Sequence, residues 1–145
     1  MSEPNSTCLY ELCESGRPNG RLYLECCDIS GTGFACVTLH CDATPRLHRN
    51  IISGGYFGIV AYNNGQGTLE SNEIFANRAS GVEIKGGSSL TLRCNRISQN
   101  GNVAISVHSG GSGIFEDNDL RGNTEGAWYI DPDCEANVQR RGNKE

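Results

Sequence analysis

Asn72-Glu-Ile-Phe-Ala-Asn77, Asn95-Arg-Ile-Ser-Gln-Asn100 and Asn118-Asp-Leu-Arg-Gly-Asn123 are copies of one unit, N-x-[IL]-x-x-N, recurring at a spacing of 23. Upstream, the first asparagine position is held by Asn50, at a spacing of 22 from Asn72, and by Cys27, at a spacing of 23 from Asn50. A period in the twenties built from short apolar segments is the signature of a solenoid, in which no repeat buries its own apolar face and neighbouring repeats do it.

Working outward from that unit, further columns come into register. Ala35, Gly58, Gly81, Ala104 and Ala127 form a small-residue column. Next come Cys36, Ile59, Val82, Ile105 and Trp128, then Thr38, Ala61, Ile84, Val107 and Ile130. Leu24, Leu47, Leu69, Leu92 and Phe115 precede the asparagine corner, and Ile29, Ile52, Ile74, Ile97 and Leu120 follow it. Alternation at i and i+2 marks strands, since successive side chains point to opposite faces. Each coil therefore reads as about three short strands, pairing in parallel with the next coil about 4.8 Å away. The expected fold class is all-β: a parallel β-helix (single-stranded β-solenoid) of about five coils, right-handed by the rule for parallel crossovers. Residues 1–20 depart from the repeat and are expected to cap its N-terminal end; residues 21–145 form the repeat domain, with a degenerate last coil.

The asparagine column has a physical reading. Asparagine tolerates left-handed backbone at a bend, and stacked amides can bond one another in a ladder. Cys27 is expected to end that ladder.

Composition agrees. Nineteen glycines and four prolines in 145 residues suit short strands and tight turns, not helices. A net charge of −5, with basic residues clustered only at Arg140, Arg141 and Lys144, argues against a nucleic-acid surface. Met1 to Leu12 has neither a basic start nor an apolar run, and no stretch is long enough to span a membrane. The expectation is an intracellular, cytoplasmic protein. Six of the eight cysteines (Cys8, Cys13, Cys26, Cys27, Cys36 and Cys41) lie in the N-terminal third of the chain. We read them as reduced thiols used as small core residues, with an N-terminal disulfide or a zinc site as alternatives. Cys13 and Cys36, one period apart, are expected to stack inward in adjacent coils, about 4.8 Å apart, a separation that fits a disulfide poorly. Gly54-Gly55, Gly86-Gly87 and Gly110-Gly111 lack the lysine and helix of a phosphate loop and read as turns. Asn5-Ser6-Thr7 is a glycosylation sequon, meaningful only in a secreted protein.

The repeat resembles that of the right-handed parallel β-helices shared by carbohydrate-binding proteins and sugar hydrolases. Ile52-Ser-Gly-Gly-Tyr-Phe-Gly-Ile59 and Glu70-Ser-Asn-Glu-Ile-Phe-Ala-Asn77 look most like the β-helix of the F-box only proteins. That likeness covers roughly residues 20–130 and implies substrate recognition within a ubiquitin ligase; the chain carries no F-box of its own. Enzymes on this fold, such as pectin lyases, resemble one another in placing acidic and basic groups on an outer face.

Two outward columns carry the candidate chemistry. One holds Val37, Val60, Glu83, Ser106 and Tyr129; the next holds Leu39, Tyr62, Lys85, His108 and Asp131. Tyr62, Glu83, Lys85, His108, Tyr129 and Asp131 form the expected ligand-binding patch, of a kind that binds a sugar or a peptide. No catalytic residue, metal ligand set or cofactor is nominated, because the carboxylates do not converge. The expected function is a non-enzymatic module presenting this face to a protein or glycan. The alternative is a small polysaccharide lyase or glycoside hydrolase. Trp128 is expected to plug the open C-terminal end, and a monomer is favoured over an end-to-end dimer because the charged tail opposes stacking.

Overall fold

The computed structural model describes the backbone of residues 10–13, and residues 23–31, 33–41 and 43–145. Three parallel sheets wrap one core. Sheet 1 stacks Tyr10–Cys13, Ala35–His40, Phe57–Ala61, Val82–Ile84, Ile105–Val107 and Trp128–Ile130. Sheet 2 stacks Tyr23–Glu25, Arg46–His48, Gln66–Glu70, Ser89–Arg93, Ser112–Glu116 and Val138–Arg141. Sheet 3 stacks Asp28–Ser30, Ile51–Ser53, Glu73–Phe75 and Arg96–Ser98. Every pairing is between neighbouring coils, as a solenoid requires. Among the described residues no helix is long and apolar enough to cross a membrane.

The apolar columns are the core. Leu69, Leu92, Ile84, Val107, Ile74 and Ile97 are all fully buried. Leu47, Leu69, Leu92 and Phe115 stand in register along sheet 2, and Ile29, Ile52, Ile74 and Ile97 along sheet 3. The small-residue column is small for a reason. A Cβ on Gly58 would sit 2.5 Å from the Gly81 carbonyl oxygen and 2.7 Å from Ile74 Cγ2.

The asparagine ladder runs through Asn50, Asn72, Asn95, Asn118 and Asn143. Each amide nitrogen donates to a leucine or phenylalanine carbonyl of the preceding coil, and each but that of Asn143 also donates to the next Oδ1. Each Oδ1 also accepts the backbone N–H of the asparagine before it. At the N-terminal end the Cys27 N–H donates to Asn50 Oδ1, and the ladder stops there. Asn143 is a rung that the regular spacing hid, since it lies 25 residues beyond Asn118. A second ladder joins Asn77, Asn100 and Asn123. The left-handed backbone falls one residue earlier than expected, on Cys26, Arg49, Ser71, Cys94 and Asp117, just before Cys27 and Asn50 to Asn118. The asparagines are thus selected for their amides, and the residue before each absorbs the bend.

The register of the first coil departs from the expectation. Val37 pairs with Ile59 and Leu39 with Ala61, so both face inward and are fully buried, while Thr38 and His40 take the outward places. Gly31 to Phe34 puts four residues between strands where Gly54 to Tyr56 puts three, and a one-residue slip exchanges the two faces of a strand. For the same reason Cys36 leaves the Ile59 column. It stays buried, donating its thiol to the Ser53 carbonyl at 3.2 Å beside the end of the second ladder. Cys13 pairs with His40 rather than stacking with Cys36. The six cysteines with described side chains are free, but only Cys36 and Cys134 are core residues; Cys26 and Cys94 are exposed at the left-handed corner. Cys8 and the sequon at Asn5 lie outside the described residues.

The C-terminal end is fuller than a degenerate coil. Val138–Arg141 completes sheet 2, and a short 3₁₀ helix, Pro132–Asn137, brings Cys134 into the core. Trp128 packs edge-on against Phe115 at 5.3 Å, with the Arg140 guanidinium over its ring and its Nε1–H donating to Glu145.

The outer face of sheet 2 carries an alternating column that the periodicity did not reveal: Glu25, His48, Glu70, Arg93, Glu116 and Arg141. Arg93 Nε lies 2.8 Å from one Glu116 oxygen and Arg141 3.1 Å from the other. Exposed pairs contribute little individually. Alternation matters more here, because like charges stacked at the inter-strand spacing would repel along the whole column.

Candidate functional site

Sheet 1 and the corner leading into it position the site. Two rows run along the solenoid axis. Backbone bonds stack Tyr56, Ala79, Asn102 and Glu125 on the corner side. Val60, Glu83, Ser106 and Tyr129 stack on the sheet side. Between them lies a trough of about 490 Å³. Its shape follows from the side chains in each row. Ala79, Ser80 and Ser106 are small in the middle coils, whereas Tyr56 and Phe57 wall one end and Trp128 and Tyr129 the other. The walls are three coil steps apart, about 14 Å at ordinary inter-strand spacing.

The aromatic ends are presented to solvent. Tyr129 is 53% exposed and Tyr56 47%. Tyr56 and Phe57 meet edge-to-face at 5.0 Å, Phe34 packs on Phe57 at 5.2 Å, and Arg78 lies over the Tyr56 ring. Exposed tyrosines held this way offer large, rigid apolar faces with a polar tip.

Of the six expected ligand-binding residues, the structure brings three into contact. Glu83 Oε2 lies 3.4 Å from His108 Nε2 and 4.0 Å from Lys85 Nζ, and Glu83 is largely covered. His108 Nδ1 shares a hydrogen bond with Ser109 Oγ at 2.8 Å, which orients the ring. Glu83 and Tyr129 line the trough; Lys85 and His108 stand behind Glu83 and do not. Tyr62 stacks on His40 at 5.1 Å and does not line the trough. Asp131 is taken up as the N-cap of the 3₁₀ helix, its carboxylate accepting from the Asp133 N–H.

Tyr56, Asn102 and Glu125 escape the sequence pattern because they sit in the turn before the strand, outside the alternating columns. Tyr56 and Asn102 each stand one period from Ala79, and Glu125 one period from Asn102, a spacing that would have placed them in one row. Among the described residues no group of three or more His, Cys, Asp and Glu is placed to hold a metal ion.

A family model described as the right handed beta helix region matches residues 12–143. No curated protein matches the chain. Among solved structures it is similar to a double mutant of the periplasmic alginate epimerase AlgG, with a TM-score of 0.59 and 17% identity. That match covers 86% of this chain but only 38% of the epimerase, and at such identity it is a likeness of fold.

Proposed function

This chain belongs to the right-handed β-helix family, and on that premise we propose that it is a glycan-binding module that lays an oligosaccharide along the trough on sheet 1. The trough itself carries the reading: it is bounded at both ends by exposed aromatic side chains and lined between them by Ser80, Ser106 and Asn102. Sugar rings stack their C–H faces on aromatics while their hydroxyls bond polar groups, and this lining supplies both kinds of partner. The fold neighbour is itself an enzyme, an alginate epimerase, and speaks for the second reading below rather than for a binding module. Binding by a polypeptide, as in the substrate-recognition β-helix of F-box proteins, would use the same exposed tyrosines.

A second reading makes the chain a carbohydrate-active enzyme. Its support is the Glu83–His108 contact at 3.4 Å with Lys85 alongside, an acid–base set at the edge of the trough.

Calorimetry against a panel of glycan oligomers, with Tyr56→Ala and Tyr129→Ala, tests the proposal. Each truncation is expected to weaken binding about threefold to tenfold while leaving the circular dichroism spectrum unchanged. Binding indifferent to both substitutions would remove the trough from consideration. Turnover of a glycan that disappears in His108→Ala would establish the enzyme reading instead.

A further inference from the structure

The charges in the trough select among glycans. Its lining contains two carboxylates, Glu83 and Glu125, and, among the described residues that line it, no lysine, arginine or histidine. Glu83 is partly neutralised from behind by Lys85, 4.0 Å away, with His108 Nε2 at 3.4 Å. Glu125 is exposed on the opposite bank and has no ion-pair partner among the described residues. Arg78 is not part of the lining and lies over the Tyr56 ring, 5.9 Å from its centroid. The chain as a whole is also acidic, at −5.

A polyuronate lying in this trough would bring carboxylates past Glu83 and Glu125, and the lining itself holds no cation to meet them. That arrangement is repulsive at close range and poorly screened where the ligand displaces water. An amine-bearing sugar reverses the sign. The two glutamates lie two coils apart along the axis, on the order of 10 Å, so one short oligomer reaches both. Their positions on opposite banks let an extended chain pass between them, with its terminal rings against Tyr56 and Tyr129.

We infer that the trough is a site for an amine-bearing glycan, a glucosamine oligomer, and that it discriminates against polyuronates. This rests on the glycan-binding reading above and adds to it the charge of the ligand.

The experiment compares glucosamine, N-acetylglucosamine and galacturonate oligomers of matched length by calorimetry, at mildly acidic pH where the amines are protonated. The glucosamine oligomer is expected to bind about twofold to fivefold tighter than its N-acetylated counterpart, the range that one exposed charge pair supplies. The galacturonate oligomer is expected to bind weakest. Glu125→Gln should narrow the glucosamine-to-N-acetylglucosamine ratio, and added salt should narrow it in the wild type. Glu125→Lys should raise affinity for the galacturonate oligomer.

A galacturonate oligomer that binds as tightly as the glucosamine one overturns the inference, as does a ratio that Glu125→Gln leaves unchanged. In either case, binding of the N-acetylated oligomer that still depends on Tyr129 keeps the glycan-binding proposal standing. Absence of binding by all three removes both.

Discussion

Replacing Asn95 by alanine in the middle of the ladder is the most direct test of how this fold is held. Asn95 is 1% exposed. Its Nδ2 donates to the Leu69 carbonyl at 2.9 Å and to Asn118 Oδ1 at 3.0 Å, and its Oδ1 accepts from Asn72 N–H and Asn72 Nδ2, both at 2.9 Å. Truncation leaves the buried Asn72 N–H without this acceptor, a cost of about 1–3 kcal/mol. The Leu69 carbonyl and the Asn72 amide each lose one bond as well, at about 1 kcal/mol apiece, so the expected loss is roughly 3–5 kcal/mol. Against a reserve of about 5–15 kcal/mol, that is a large fraction. Asn50→Ala is the control. Asn50 sits at the end of the ladder, where its Oδ1 accepts only the half-buried Cys27 N–H and its amide meets the half-buried Leu24. Water replaces those bonds, and the loss should be about half as large. Urea unfolding followed by circular dichroism measures both. A loss below about 1 kcal/mol at Asn95, or equal losses at the two sites, refutes the argument that buried amide satisfaction holds the coils together.

Three further outcomes are expected. Gly58→Ala forces a Cβ against the Gly81 carbonyl and should cost about 1–3 kcal/mol by the same unfolding measurement, whereas Gly33→Ala, with nothing within 4 Å, should be near neutral. Native-state alkylation read by mass spectrometry should label the exposed Cys26 and Cys94 quickly and spare Cys36, whose thiol is buried and whose pKa is pushed up chiefly by that burial; rapid labelling of Cys36 would contradict its placement. In acid, Glu116, held low chiefly by its hydrogen bond from Arg93, and Asp119, held well below the carboxylate range chiefly by Arg121, both have folded pKa values below their unfolded ones. Their stabilisation is therefore complete above the ordinary carboxylate pKa of about 4 and is lost as pH falls below it, so Glu116→Gln should flatten the acid limb of the stability profile.

The core was legible because burial on both sides of a coil repeats the same demand once per period. Ile74 and Ile97, or Leu69 and Leu92, could each stand in for the other, and the parallel pairing followed. The first coil escapes the pattern because a turn can lose one residue without disturbing the column on either side of it. Ser30 still faces Ser53, yet Ala35 faces Phe57, and that single omission exchanges Val37 with Thr38 and Leu39 with His40. The site was harder for a different reason. Glu83, Lys85 and His108 announce themselves as charged residues on an outward face, and the structure does bring them together. The trough beside them is made by what is missing: Ala79, Ser80 and Ser106 are inconspicuous in sequence, and they become a depression only because Tyr56 and Tyr129 stand at either end of the same rows. A concavity on a solenoid is a contrast between coils. Composition and period describe what the coils share, so the surface that distinguishes this chain lies in the positions where its coils differ.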